Sequence, residues 1–203
     1  MRPLTNILID RLPESVNING DEYEINSDFR TSMLFEMMMQ DDTLEDAEKT
    51  AQAVQLYYPE IPDDIDAAVE ELLWFYGCGK NDDPSRKRLQ QKKSHSRVYS
   101  FEYDDDYIYS AFITQYGIDL QDIEYLHWWK FRSMFNSLTD DNLIVKIMGY
   151  RSMDISKDMG KEQQKFYNRM KRLYELPKSM SEVEKTAAIE DALMNGGDLT
   201  GLL

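Results

Sequence analysis

Glu124 and His127 stand three residues apart in "IEYLHWWKFRSMF" (123–135). On a helix that spacing would put a carboxylate and an imidazole on one face. Such an E-x-x-H unit, used twice with two further glutamates, holds the paired metals of carboxylate-bridged helical bundles. The only other histidine, His95, lies in a basic stretch with no second E-x-x-H. One unit cannot supply the ligands that a closed site needs. A metal-dependent enzyme built on Glu124 and His127 therefore stands against a plainer reading, in which His127 is a polar residue hydrogen-bonded at the edge of a core. The plainer reading is preferred, and neither a metal nor another cofactor is expected.

The remaining candidates for chemistry are weaker. "GCGK" (77–80) lacks the spacing of a phosphate-binding loop, is followed by Asn81, and trails a helical pattern rather than a strand. It reads as a helix stop. Cys78 is the single cysteine, with no family signature around it, and no internal disulfide is possible. "YDDDY" (103–107) lacks the spaced acids of a calcium loop, so Asp104–Asp106 read as an acidic helix start that complements the helix dipole. Lys87, Arg88, Lys92 and Lys93 have no interleaved aromatics before Tyr99 and read as a solvated connector. No catalytic residue is expected, and the chain is not read as an enzyme.

Charge sharpens the picture. The 203 residues carry a net −15, distributed as −14 over 1–76, +5 over 77–98 and −6 over the remainder. A surface this acidic disfavours non-specific nucleic-acid binding and suits a protein that handles a sticky or basic partner. No run approaches the roughly 18 apolar residues of a membrane span, and the apolar run in "MRPLTNILIDRLPESV" is too short for a signal peptide. A soluble protein of a reducing cytoplasm is expected, without nucleic-acid or membrane partners.

The elements that must position these residues are mostly helices. In "SVNINGDEYEI", Val16 and Ile18 alternate, Asn19-Gly20 supplies a type I′ turn, and Tyr23 and Ile25 resume the alternation, which predicts a small β-hairpin over about 16–25. Ser27 or Asp28 can cap "FRTSMLFEMMMQ". Thr43 with Asp46 approximates a capping box for the next helix. After Pro62, Ile65, Val69, Leu72 and Tyr76 form an expected inward stripe. Later segments predict further helices, among them a basic one with Phe166, Met170 and Leu173 inward, and a last one in "SEVEKTAAIEDALMN". The class is mainly α, a multi-helix globular protein with one hairpin. The chain divides into an acidic half (1–78), a basic linker or loop (79–97), an aromatic-rich half (98–178), and a C-terminal helix with a Gly-rich tail (179–203). A shared core is favoured, because neither half is large.

Two apolar groups stand out. Trp128, Phe131, Phe135 and Leu138 recur at helical spacing, widened by Trp129, so Trp128, Trp129, Phe131 and Phe135 are assigned to the structural core. Met37, Met38 and Met39 are consecutive in a chain with 12 methionines, and three helical neighbours cannot all face one core. Two readings stand level here: a surface that repacks around apolar partners, or a helix buried on both sides. Met33, Leu34, Met37 and Met38 are the candidate partner contacts.

"RVYSFEYDDDYIYSAFITQYGIDLQDIEYLHWWKFRSMFNSL", with "KIMGYRSMDISK" and "QQKFYNRMKRLYELP", resembles a family of phage proteins known as gene product fifteen. The likeness extends to "VNINGDEYEINSDFR" and "LLWFYGCGK" and covers most of 12–178. The family is encoded in tail modules of long-tailed phages and prophages of Gram-positive bacteria, beside the tape measure protein. That resemblance implies a tail assembly chaperone acting in the host bacterial cytoplasm, with the tape measure protein as partner and self-association as a further expectation. The alternative it leaves open is a minor structural tail or connector component retained in the virion.

Overall fold

The computed structural model describes residues 5–80 and 97–177. Among them the chain forms one antiparallel hairpin and seven helices, a mainly α protein as the sequence patterning suggests. The hairpin pairs β1 (Ser15–Ile18) with β2 (Asp21–Glu24). Asn19 and Gly20 take φ values of 55° and 105°, the two positive angles of a type I′ turn. Two strands alone would be marginal. Here Val16 and Ile18 are buried, and β1 packs on α3 (Ile65–Tyr76). The Asn19 amide also donates to the carboxylate of Asp64, the N-cap of that helix, at 2.8 Å.

α1 (Phe29–Met39) packs on both α2 (Asp46–Tyr57) and α5 (Trp128–Asn136), and α2 packs on α3. α4 (Asp105–Tyr116) packs on α6 (Leu143–Ser152), and α6 carries α7 (Lys161–Leu173). Two helix starts are stitched together. Asp28 caps α1 by accepting from the Arg30 N–H at 3.0 Å, and its other carboxylate oxygen accepts from the Leu126 N–H at 3.2 Å. Between the same segments, the Phe29 N–H donates to the Leu126 carbonyl at 2.9 Å and the Trp128 N–H to the Ser27 carbonyl at 2.8 Å. One contiguous apolar core runs from Val16 to Ile144 and takes residues from both halves of the chain. At its centre the fully buried Phe131 ring stacks on Phe29 at 5.1 Å and on Phe112 at 4.9 Å.

Three elements depart from the expectations. α2 is capped by Glu45, whose N–H donates to the Glu48 carboxylate at 3.1 Å; Thr43 instead closes a turn on Asp41. α3 carries two apolar stripes, and Ala68, Leu72 and Phe75 face the core while Ile65 is 39% exposed. The buried Tyr58 hydroxyl donates to the Ala68 carbonyl at 2.8 Å on this face. α7 buries no residue fully: Leu173 faces outward, Phe166 is half exposed yet meets Tyr150 edge-on at 6.0 Å, and the inner side is completed by Tyr167, Met170 and the following Tyr174 against Tyr150. Among the described residues α6 is the helix it packs on, and Leu173 at its far edge is 62% exposed. The basic linker and the last expected helix lie, respectively, almost wholly and wholly outside the described residues.

One buried ion pair ties the second half together. Arg151 meets Asp104 through two parallel bonds of 2.6 and 2.9 Å, and it also donates to the carbonyls of Tyr174 and Val98 at 2.6 and 3.1 Å. Asp104, only 1% exposed, further accepts from the Ser100 N–H at 2.9 Å and forms the N-cap of α4. It therefore does more than complement a dipole. Removing one partner strands the other charge inside. Arg151→Met should destabilise the fold by about 3–5 kcal/mol in urea denaturation, and a loss under about 1 kcal/mol would show that the pair does not hold the α4–α6 packing.

Candidate functional site

His127 is the N-cap of α5 rather than a residue within it, and Glu124 lies outside the helix and exposed. The E-x-x-H spacing therefore does not make a helical pair. The imidazole is 2% exposed with both nitrogens engaged. Nδ1 faces the Trp129 N–H at 3.0 Å and must accept; Nε2 faces the Pro13 carbonyl at 3.0 Å and must donate. This fixes one neutral tautomer. Burial holds the imidazole's pKa below its ordinary 6.5, partly opposed by the Pro13 bond and nearby Glu14. Among the described residues no three His, Cys, Asp or Glu side chains converge to hold a metal ion.

Beside it the aromatic stretch closes the end of α3. The Trp128 and Trp129 indoles donate to the Tyr76 and Phe75 carbonyls at 2.8 and 2.7 Å. Gly79 and Cys78 donate back to the Trp74 and Phe75 carbonyls, at 3.0 and 2.9 Å, which makes "GCG" a Schellman-type helix stop. Cys78 holds the left-handed position with φ 58°, and its thiol reaches the Tyr76 carbonyl at 3.8 Å. Trp128, Trp129, Phe131 and Phe135 are all buried, at 0%, 4%, 0% and 6% exposure.

α1 is where apolar side chains reach the surface. Phe29, Ser32 and Phe35 form its buried face. Met33, Met37 and Met38 are partly buried against the core margin, while Leu34 and Met39 are exposed. Its middle is clamped by Glu36, which accepts from the Tyr76 and Tyr99 hydroxyls. Burial first, and the Glu36 charge second, push both phenols above their ordinary range. Met33 also lines a cleft of about 600 Å³ between α1, α4 and the loop before α5. Its floor is Phe29, Phe101, Ile108 and Leu120; Asp105 and Asp106 stand on its rim. Arg30 closes one side, donating to the Leu120 and Ile123 carbonyls at 3.0 and 2.7 Å. An apolar floor with acids at its edge suits an apolar anchor flanked by a cation. The sequence singles out Met33 as a candidate contact; the cleft it lines was not legible, because its walls are far apart along the chain.

The model of the bacteriophage Gp15 protein family matches residues 8–176. The chain belongs to the bacteriophage Gp15 protein family. No curated protein and no solved structure matches it. Membership places this Gp15 chain among phage proteins of a structural or tail-related kind, and the match ends at 176, before the C-terminal segment. Every helix described above lies within the matched span, including the α1 surface and its cleft.

The His127 geometry has a pH signature. Its folded pKa lies below its unfolded one, so as pH falls the unfolded chain takes up the proton first. Its contribution is whole above 6.5 and declines below that, until the folded imidazole titrates as well. The slope cannot exceed about 1.4 kcal/mol per pH unit. His127→Asn keeps a capping acceptor and removes the titration. Between pH of about 7 and about 5, wild type should lose on the order of 1 kcal/mol relative to that variant in parallel urea titrations. A difference that stays constant with pH would contradict the fixed neutral tautomer.

Proposed function

We propose that this chain is a non-enzymatic tail assembly chaperone that binds the tape measure protein of its phage during tail morphogenesis. The observation that carries the reading is the α1 surface. A helix anchored by Phe29 and Phe35 still presents Leu34 and Met39 to solvent at 53% and 46% exposure, with three more methionines at its margin. Unbranched thioethers adapt to varied apolar partners at little packing cost. The neighbouring cleft offers an apolar floor for an anchoring side chain, and its acidic rim favours a lysine or arginine one turn away on the bound helix. The net charge of −15 keeps coated complexes apart. Gp15-family membership supplies the phage context, and the family's resemblance-based place beside the tape measure gene supplies the partner.

Co-expression with the neighbouring tape measure protein, followed by pull-down and size-exclusion chromatography, tests this. Wild type should keep the tape measure soluble and co-elute with it. Leu34→Glu combined with Met39→Glu should abolish co-elution while leaving stability within about 0.5 kcal/mol, since both side chains are largely exposed. A tape measure that stays insoluble beside wild type, with nothing co-eluting, contradicts the reading. In that case a component retained in the virion takes its place, and mass spectrometry of purified particles should find the chain at stoichiometric level.

A further inference from the structure

The outward face of α7 takes no part in the surface just described. Lys161, Lys165, Arg169 and Arg172 recur at helical spacing and are all exposed, forming one basic strip. Phe166 and Leu173 run along its edge, 48% and 62% exposed. Within the strip, Lys165 makes one exposed ion pair, with Glu162 at 3.5 Å. Exposed pairs of this kind contribute little, so the strip's charge is available to a partner. A helix face that is basic with an apolar edge is complementary to one that is acidic with an apolar edge.

α3 presents that match. Ile65 is 39% exposed and Val69 half-buried one turn on, so part of the stripe expected to face inward lies at the surface. Asp66 and Glu70 border it, one turn apart and both exposed. Among the described residues, packing runs from α3 through α2 and α1 to α5, and from α7 through α6 to α4, and α3 and α7 are not packed on one another. The four charged positions Asp66, Glu70, Lys165 and Arg169 are all exposed.

We propose that α7 of one copy docks along α3 of a second copy, with Lys165 and Arg169 against Asp66 and Glu70 and Phe166 against Ile65 and Val69. Charge selects this occupant. Most of the described surface is acidic, so copies meeting at random repel, and α7 offers α3 the opposite sign together with an apolar edge. A nucleic acid would match the α7 strip but would leave the α3 stripe uncovered and be repelled by the acids around it. The contact is heterologous: each copy keeps one α3 and one α7 face open, so the association repeats into a ring or a filament. It concerns this chain alone and does not depend on the tape measure reading.

Sedimentation velocity of the purified full chain tests it, at a fixed salt of about 0.15 M where the Debye length is about 8 Å and the net repulsion between copies is largely screened. Wild type should sediment above its 23.9 kDa monomer mass, increasingly so with concentration. K165E/R169E and D66K/E70K should each associate at least about tenfold more weakly, because each places like charges face to face. Both should keep the wild-type circular dichroism, since all four positions are exposed. Mixed in equal amounts they should associate again, because an acidic α7 then meets a basic α3. A wild type that stays monomeric throughout overturns the proposal. So do reversed variants that associate as wild type does, and so does a mixture that is not rescued, whether the α7 strip serves another anionic partner or α3 is covered by residues of its own chain.

Discussion

Two indole N–H groups on adjacent residues end on two adjacent carbonyls, and much of the molecule follows from that. A helix leaves its last four carbonyls without internal partners, and leaving such groups buried and unmade costs about 1–3 kcal/mol each. α3 ends inside the protein. Its Leu73 and Trp74 carbonyls are met by the Gly77 and Gly79 N–H groups, Phe75 by Cys78 and Trp129, and Tyr76 by Trp128. The two indoles that reach this end are the first two residues of α5, whose start His127 caps by accepting from the Trp129 N–H. Once α5 begins there, Phe131 falls between Phe29 and Phe112, and α1 and α4 are placed against it.

The same placement fixes α1 at two points. Asp28 ties its start to the start of α5, and Glu36 ties its middle to Tyr76 and Tyr99. Met33, Met37 and Met38 pack only partly against the core at its margin. Unbranched thioethers adapt to different neighbours, which suits the contact surface proposed above. A partner helix would thus meet a stiff backbone carrying soft side chains, with little ordering of the backbone to offset on binding.

Much of this was legible in the sequence where the signal was local. Asn19-Gly20 specified its turn, Asp28 its cap, and the spacing of Trp128, Phe131 and Phe135 a buried helix. Local signals failed where two solutions were equally regular. In α3 the stripes starting at Ile65 and at Ala68 are both periodic, and only the packing of α2 and β1 against the helix decides between them. In α7 the period was right, but the inward face depended on how much neighbouring structure α6 could offer. Asp104 shows a third kind of failure. Nothing within "YDDDY" marks one of three aspartates as the buried partner of Arg151, 47 residues away. The cleft beside Met33 is illegible for the same reason, since Phe29, Phe101 and Leu120 meet only through the core.

The central claim is that the α1 surface and its cleft hold a helix of the tape measure protein. Hydrogen–deuterium exchange on the co-expressed complex, compared with the chain alone, tests it most directly, because the readout is local and independent of solubility. Slowed exchange should concentrate in residues 33–40 and 101–109, with α6 little changed. A stable complex whose protection falls elsewhere, leaving α1 and the cleft as they are in the free protein, would contradict it.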